Sequence, residues 1–492
     1  MNMNKKRIGT SMLLCALLLG TLASCGGDGG AAVQTEGNNT PVGSETAPAE
    51  TQMSYGDALP DELDFGGKDF RIATYFGGNL TNGDGWFNYF EIAETNGDSL
   101  NDAAYLRNAE VEERLNVKIK CLEIADWGQV LGAVQKSVTA GDDAYDIAVE
   151  GSHASYVNLI SSNMLYDTGD LKYMELSQPY YTKSSYETYE IDGHRYLFSG
   201  AYTYPLFSGV YWLFNKDMWA EYDLPDAYQT VRDGKWTFDT ALSYIKGTYR
   251  DVNGDSKADI GDKYGFSTGP AMLNYMYLGM GMKGVILGEN GFVYDYEDER
   301  AADVVTKIID WRNAADAYYD SSKQWDNFFG GNSLMLLYGS SLSKLRDLEF
   351  DFGFLPMPKY DEAQKEYASY MCGGLVCIPT TISDPDCVGA TVEALFSGSA
   401  RYLEPAYLDK FVENKVLRDE GSVEMYRLLL ETASYDFTRY ISPNASVQNF
   451  GLIGTLVSKK STDIASAWAK IETKVKDKFD EFYDEFVANS QG

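Results

Sequence analysis

Polar and apolar positions alternate along Lys68-Asp69-Phe70-Arg71-Ile72-Ala73-Thr74-Tyr75, the period of a half-buried strand, and a Gly/Asn-rich loop follows to Trp86. The period then changes. Leu100, Ala104, Val111 and Leu115 fall on one face of a helix over Ser99 to Leu115. A second strand is predicted over Asn116 to Cys121, a second helix over Val130 to Thr139, and a third strand over Ala144 to Val149. Strand, helix, strand, helix, strand at this spacing predicts βαβ units and a mostly parallel sheet. Ligands of such sheets sit beyond the carboxyl ends of the strands. Farther on, Val210 to Phe214 predicts a strand, and Asn215-Lys216-Asp217-Met218-Trp219 opens a helix with an acid near its positive end. Trp236 follows a Gly-Lys turn at the start of another helix and is expected in the core.

The first apolar run is of another kind. Lys5, Lys6 and Arg7 precede the stretch Ser11 to Gly20, which is too short to span a bilayer of roughly 30 Å as a helix. It ends in Leu22-Ala23-Ser24-Cys25, which resembles a bacterial lipobox, whose cysteine is acylated and becomes the mature first residue. Residues 1–24 are thus expected to be a lipoprotein signal peptide, an ordinary export signal being the alternative. Attachment would rest on buried acyl chains, about 0.8 kcal/mol per CH₂. From Cys25 to Asp61 the chain is Gly-, Ala-, Thr-, Pro- and Glu-rich without apolar periodicity, and is expected to be a disordered tether reaching roughly 30–35 Å.

Composition narrows the functions open to the rest. Hydrophobic residues at 44% and charged residues at 23% are ordinary for a globular body of two or three lobes. Net charge is not ordinary: 41 basic against 73 acidic residues leave −32, which repels phosphate backbones and anionic headgroups. Nucleic acid is therefore not an expected partner, and any membrane contact is expected through the lipid anchor alone. Two histidines in 492 residues argue against a His-rich metal centre or a Ser-His-Asp triad. No nucleophile elbow, P-loop or zinc-protease motif is present. A carboxylate pair picked from 73 acids would be arbitrary, and Asp142-Asp143 reads as a solvated turn. No enzyme is expected. Cys121, Cys372, Cys377 and Cys387 are too few to scaffold so large a body and are read as buried thiols.

Several pieces together carry a resemblance. They are Asp64-Phe65-Gly66-Gly67-Lys68, Gly141 to Asp146, Tyr211 to Asp217, Gly234 to Asp239, Gly353 to Tyr360, and Met425 with its surrounding helix. In this order, behind a lipobox and tether, they make the chain resemble an extracellular solute-binding protein of family 1, the maltose-binding-like class that feeds ABC sugar importers. The resemblance implies a two-lobed α/β fold of the type II periplasmic-binding-protein kind. Each lobe would be a mostly parallel sheet flanked by helices, with a ligand cleft between them. By that pattern lobe one comprises 62–169 and 351–400, and lobe two 170–350 and 401–492.

The sharpest local motif runs from Asp251 to Asp262. Oxygens fall at EF-hand-type positions: Asp251, Asn253, Asp255, the Lys257 carbonyl, Asp259 and Asp262. Ser256 stands where the loop wants glycine, and Asp262 is shorter than the usual Glu. A structural Ca²⁺ is expected, with affinity in the weak extracellular range of about 10⁻⁴–10⁻³ M; a polar turn is the alternative.

A sugar shows a polar rim and C–H faces, so its receptor needs flat rings with convergent carboxylates and amides. Trp86, Trp127 and His153 lie at predicted strand ends, with Asn79, Asp126 and Glu150 beside them. Tyr202, Tyr204, Tyr275 and Trp325 sit near segments that line the cleft in proteins the chain resembles. With eight Trp and 37 Tyr, most such rings must nonetheless be core or rim. The expected function is capture of a carbohydrate, or another polar solute, by a monomeric lipoprotein on the outer face of the cell membrane. Delivery would be to ABC importer permease subunits. A glycan-acting enzyme or adhesin on similar lobes is the alternative.

Overall fold

The computed structural model describes residues 56–75, 89–125, 127–150, 155–206, 208–289, 291–339, 342–372, 374–413 and 416–490. Its first three strands are β1 (Lys68–Thr74), β2 (Val117–Glu123) and β3 (Ile147–Glu150). Then come β4 (Ser208–Gly209), β5 (Tyr211–Asn215), β6 (Tyr264–Thr268), β7 (Val285–Gly288) and β8 (Gly291–Tyr294). The remainder are β9 (Ala317–Tyr319), β10 (Ser333–Tyr338), β11 (Phe352–Leu355), β12 (Ser369–Cys372), β13 (Leu375–Cys377) and β14 (Ala433–Ser434).

Lobe one is built on a four-stranded sheet in the order β13-β3-β1-β2. β1 runs parallel to β2 from Lys68↔Val117 to Thr74↔Glu123 and parallel to β3 at Ile72↔Ile147, while β13 returns antiparallel at Leu375↔Glu150. The crossover between β1 and β2 is the helix Ser99–Leu115, set by its apolar stripe and by Asp98, whose carboxylate accepts from the Leu100 and Asn101 amides. Arg107, on the same buried stripe, is wholly enclosed. Its guanidinium donates to Asn108 Oδ1 at 2.8 and 3.0 Å and to Ser399 Oγ at 3.3 Å, and burial lowers its pKa to about 10. This helix packs on the long helix Pro385–Glu413.

Lobe two carries a five-stranded sheet in the order β11-β5-β10-β6-β9, with β10, β6 and β9 parallel and β5 antiparallel to its neighbours. Its strands β5, β6, β10 and β11 are buried throughout. Trp236 is fully buried as expected, its indole N–H donating to the Pro356 carbonyl at 2.9 Å, and it meets Trp212 edge-on. Asn215 caps the helix Lys216–Glu221, its side chain accepting from the Met218 amide at 3.1 Å.

A third sheet, β14-β12-β4, stands where the chain passes from one large sheet to the other. β4 precedes β5 of lobe two, and β12 joins β11 of lobe two to β13 of lobe one. Two boundaries therefore differ from expectation. β11 pairs with β5 at Phe352↔Asn215, so 352–355 belongs to lobe two, and the return to the first sheet comes at β13 rather than near Asp351. Residues 56–61, expected within the tether, are part of lobe one, where Leu59 is buried. Asp143, expected to be solvated, accepts from Arg71 at 2.6 Å, and the same guanidinium holds Asp146. Cys121, Cys377 and Cys387 are free thiols, the last two buried.

Candidate functional site

The carboxyl ends of the parallel strands face two groups of loops. In lobe one, Asn79, Trp86, Asp126 and His153 lie outside the described residues, as does the side chain of Trp127, whose backbone forms a 3-10 turn over Trp127–Gln129. Glu150, the last residue of β3, is 2% exposed. Burial first, and the Glu150 charge second, push the neighbouring Cys377 thiol well above the ordinary range.

In lobe two the described residues gather more. β6 ends at Thr268 and runs through Gly269 into the 3-10 turn Pro270–Tyr275. The loop after β9 lies against this turn, where a Cβ at Gly269 would come within 2.1 Å of Gln324 Oε1 and would make that side chain move. That loop leads to Trp325, which is half-buried and meets Tyr338 at the end of β10 with ring centroids 5.0 Å apart. Its indole N–H has no hydrogen-bond partner among the described residues, and the Lys344 ammonium lies 5.6 Å from its ring.

Tyr275 is also half-buried, and its ring lies 4.3 Å from that of Tyr370 on β12. Asn449 joins the two. Its Nδ2 donates to Tyr275 Oη at 3.1 Å, and Tyr370 Oη donates to its Oδ1 at 2.7 Å. Asn449 and Phe450 both adopt the left-handed region, at φ 51° and 58°, a strain that persists only where surroundings enforce it. Tyr370 and Asn449 escaped sequence reasoning because they lie 79 residues apart and far from Tyr275. Only an Asn followed by an aromatic hinted at a special backbone.

Tyr202 does not belong to this edge. It is 1% exposed, between Phe90 (5.0 Å) and Phe396 (5.5 Å), with the Arg107 guanidinium 4.8 Å from its ring. It is a core residue of lobe one. The Tyr204 side chain lies outside the described residues. His194 is tied to Asp167, Nδ1 to Oδ2 at 2.7 Å, in a structural pairing.

The 251–262 loop folds on itself. Asp251 accepts from the Gly254 and Ser256 amides at 2.6 and 2.8 Å, Asn253 from Asp255 at 2.9 Å, and Asp255 from Lys257 at 2.8 Å. Asp262 accepts from Val252 at 2.9 Å, and the Asp259 amide approaches its other oxygen at 3.3 Å. Among the described residues, no three Asp, Glu, His or Cys side chains are grouped as metal ligands would be.

A cavity of about 1350 Å³ opens on the β11 edge of lobe two, among Arg232, Lys359, Arg418 and Glu424. Ion pairs such as Arg232–Glu424 cross its walls, and it lies away from the strand ends. Among the described residues no helix is long and apolar enough to cross a membrane.

None of the curated proteins compared matches the chain in sequence. Solved structures match in fold. A cyclo/maltodextrin-binding protein complexed with maltotetraose has 12% identity and a TM-score of 0.53, covering 86% of this chain and 97% of that one. UspC from M. tuberculosis has 14% identity and a TM-score of 0.52, covering 81% and 100%. An ABC substrate-binding protein from Listeria monocytogenes in complex with cycloalternan has 14% identity and a TM-score of 0.49, covering 85% and 98%. Residues 97–395 match the family described as bacterial extracellular solute-binding protein, a family of binding proteins rather than enzymes. With more than half its length matched to that family and the two-lobed architecture to go with it, this chain belongs to the bacterial extracellular solute-binding proteins.

Proposed function

We propose that the protein captures a carbohydrate, an oligosaccharide above all, between its lobes and delivers it to the permease of an ABC importer. The observation that carries this reading is the pair of half-buried rings, Tyr275 and Trp325, at the carboxyl edge of the five-stranded sheet. Flat rings with one polar tip suit the apolar faces and polar rim of a pyranose. The maltotetraose bound to the cyclo/maltodextrin-binding protein supports a sugar of several units. Trp86, Trp127, Asn79, Asp126, Glu150 and His153 would supply the facing side from lobe one.

The test is a thermal-shift screen of the mature protein against neutral oligosaccharides, followed by calorimetry on the best ligand. A ligand at 100 times its Kd adds about 2.7 kcal/mol of stability. Saturable binding without cleavage, weakened by Trp325→Ala, upholds the reading. A panel without a single shift, or a hydrolysed sugar, overturns it.

Two further features belong to the same reading. Cys25 is acylated and holds the protein, as a monomer, on the outer face of the membrane. The 251–262 loop takes a structural Ca²⁺: its donors are all oxygens, and Ser256 stands at φ 63°, the left-handed conformation such a loop needs at its sixth position. The carboxylates would have to turn from their backbone partners toward the ion.

A further inference from the structure

The crossing sheet holds a buried carboxylic acid that the proposed binding site does not use. Asp436 follows β14 by two residues and is 1% exposed. Its Oδ1 accepts from the Thr438 amide at 2.9 Å and from Thr438 Oγ1 at 2.8 Å. Its Oδ2 is buried with no hydrogen-bond partner among the described residues. Thr438 Oγ1 in turn accepts from the Asn449 amide at 3.1 Å. Asn449 then holds Tyr275 and Tyr370. An unbroken relay thus runs from one carboxyl group to a half-buried ring at the strand ends.

We propose that Asp436 is a positioning residue for the ligand site, setting through Thr438 and Asn449 how Tyr275 and Tyr370 stand, so that ligand affinity follows its protonation state. The inference rests on the carbohydrate reading of Tyr275.

The physical basis is the single hydroxyl hydrogen of Thr438. It lies between two acceptors, Asp436 Oδ1 and the Val447 carbonyl at 3.0 Å. A charged carboxylate draws it strongly, whereas a neutral acid is the weaker acceptor and leaves it to Val447. The Asn449 amide bonds the same oxygen, so the preference is passed to a backbone already in the left-handed region. Burial pushes the Asp436 carboxyl up to about 7, within the physiological range.

Other charges face Asp436 from the elements around it. Arg439 lies on its own helix, and the half-buried Lys283, from the loop before β7, donates to Ser434 Oγ on β14 at 3.3 Å. Tyr296 and Asp295 lie on the 3-10 turn Asp295–Glu297, and Tyr189 donates to the Asp436 carbonyl at 3.2 Å. Desolvation, opposed by Asp436 and Asp295, lowers the Lys283 ammonium, and burial raises Tyr296 well above neutrality. Arg439 keeps its charge at any pH of interest. Asp295 is raised by burial and accepts from the Lys283 and Gly284 amides, so its contribution must be separated by variant.

The experiment labels the full mature chain with 3-fluorotyrosine and follows the fluorine resonances from pH 5.5 to 8.5 without ligand. Tyr370→Phe and Tyr275→Phe assign the two signals. Both should shift with a midpoint near 7 in the wild type and in Asp295→Asn. They should stay flat in Asp436→Asn, whose amide keeps the Thr438 bonds but cannot titrate. The second arm measures maltotetraose affinity by calorimetry over the same range. Wild type should change three- to tenfold between pH 6 and 8, whereas Asp436→Asn should be pH-independent and Thr438→Val weak throughout. Flat tyrosine signals in wild type, or shifts that persist in Asp436→Asn, overturn the linkage. So does pH-independent affinity of wild type. Absence of maltotetraose binding at every pH counts against the carbohydrate reading, while the ligand-free titration still upholds or overturns the relay.

Discussion

Asp57 and Arg114 form a bidentate ion pair, Nη1 to Oδ2 and Nη2 to Oδ1 both at 2.9 Å, with side chains 0% and 7% exposed. Ser397 Oγ donates to the same carboxylate at 2.7 Å, and Arg114 also reaches the Leu59 carbonyl at 3.2 Å. Burial alone would raise the Asp57 carboxyl, but the hydrogen bonds from Arg114 and Ser397 and the Arg114 charge outweigh it and hold the group below the usual range. The pair fastens the first described residues to the helices Ser99–Leu115 and Pro385–Glu413.

Breaking this pair from one side should be costly. Asp57→Ala leaves a buried guanidinium without its acid, and we expect a loss of about 3–5 kcal/mol in urea unfolding. Asp57→Ala with Arg114→Met should recover part of that loss. A single variant as stable as wild type would mean that solvent reaches the site.

Asp436 should also shape stability against pH. Its folded-state pKa of about 7 lies above the unfolded value, so the native state binds the proton more tightly. This favours folding below the unfolded pKa, near 4, and the benefit declines as pH rises until it is gone above about 7. Asp436→Asn should remove that component, flattening the melting temperature between pH 4.5 and 7.5 and stabilising the protein at pH 8, on the order of 4 kcal/mol relative to wild type. Parallel pH profiles for the two proteins would contradict this.

Tyr202 and Trp325 should behave in opposite ways. Tyr202→Ala empties a packed site between Phe90 and Phe396 and should cost about 3–5 kcal/mol of stability, leaving affinity of the folded protein nearly unchanged. Trp325→Ala should cost about 2–4 kcal/mol of carbohydrate affinity and less of stability. Calorimetry and denaturant melts on both variants decide it, and a reversal of the pattern would move the site elsewhere.

For the 251–262 loop, Asp251→Ala with Asp255→Ala should lower the melting temperature in millimolar Ca²⁺ but hardly in chelator, since an ion stabilises only the state that binds it. Identical wild-type melts with Ca²⁺ and with chelator would leave the loop a self-bonded turn.

Cys25→Ala should move the protein from the membrane fraction to the soluble fraction, because acyl chains are its proposed attachment. Unchanged partition of the variant would show that something other than Cys25 holds it.

Much of the architecture was legible locally. The alternation over 68–75, the helical stripe over 99–115 and the return expected over 116–121 and observed over 117–123 are set by side-chain period, which a short window of residues contains in full. The burial of Trp236 and the helix opening after β5 at Asn215-Lys216-Asp217 were readable for the same reason. Family membership, too, was legible from ordered short pieces spread along the chain.

What a ring or carboxylate does was not legible, because that depends on partners distant in the chain. Tyr202 and Tyr275 read alike as tyrosines near segments that line the cleft in proteins the chain resembles. Packing placed one between Phe90 and Phe396 and the other against Tyr370 and Asn449. Asp57 looked like tether until Arg114 and Ser397 closed around it. β11 looked like a return to lobe one until it paired with β5. Local period determines which segments become strands and helices and which face of each is apolar. Pairing between strands, and the burial that turns a polar group into a partner or a liability, exist only once distant segments meet, and that the tertiary structure alone decided.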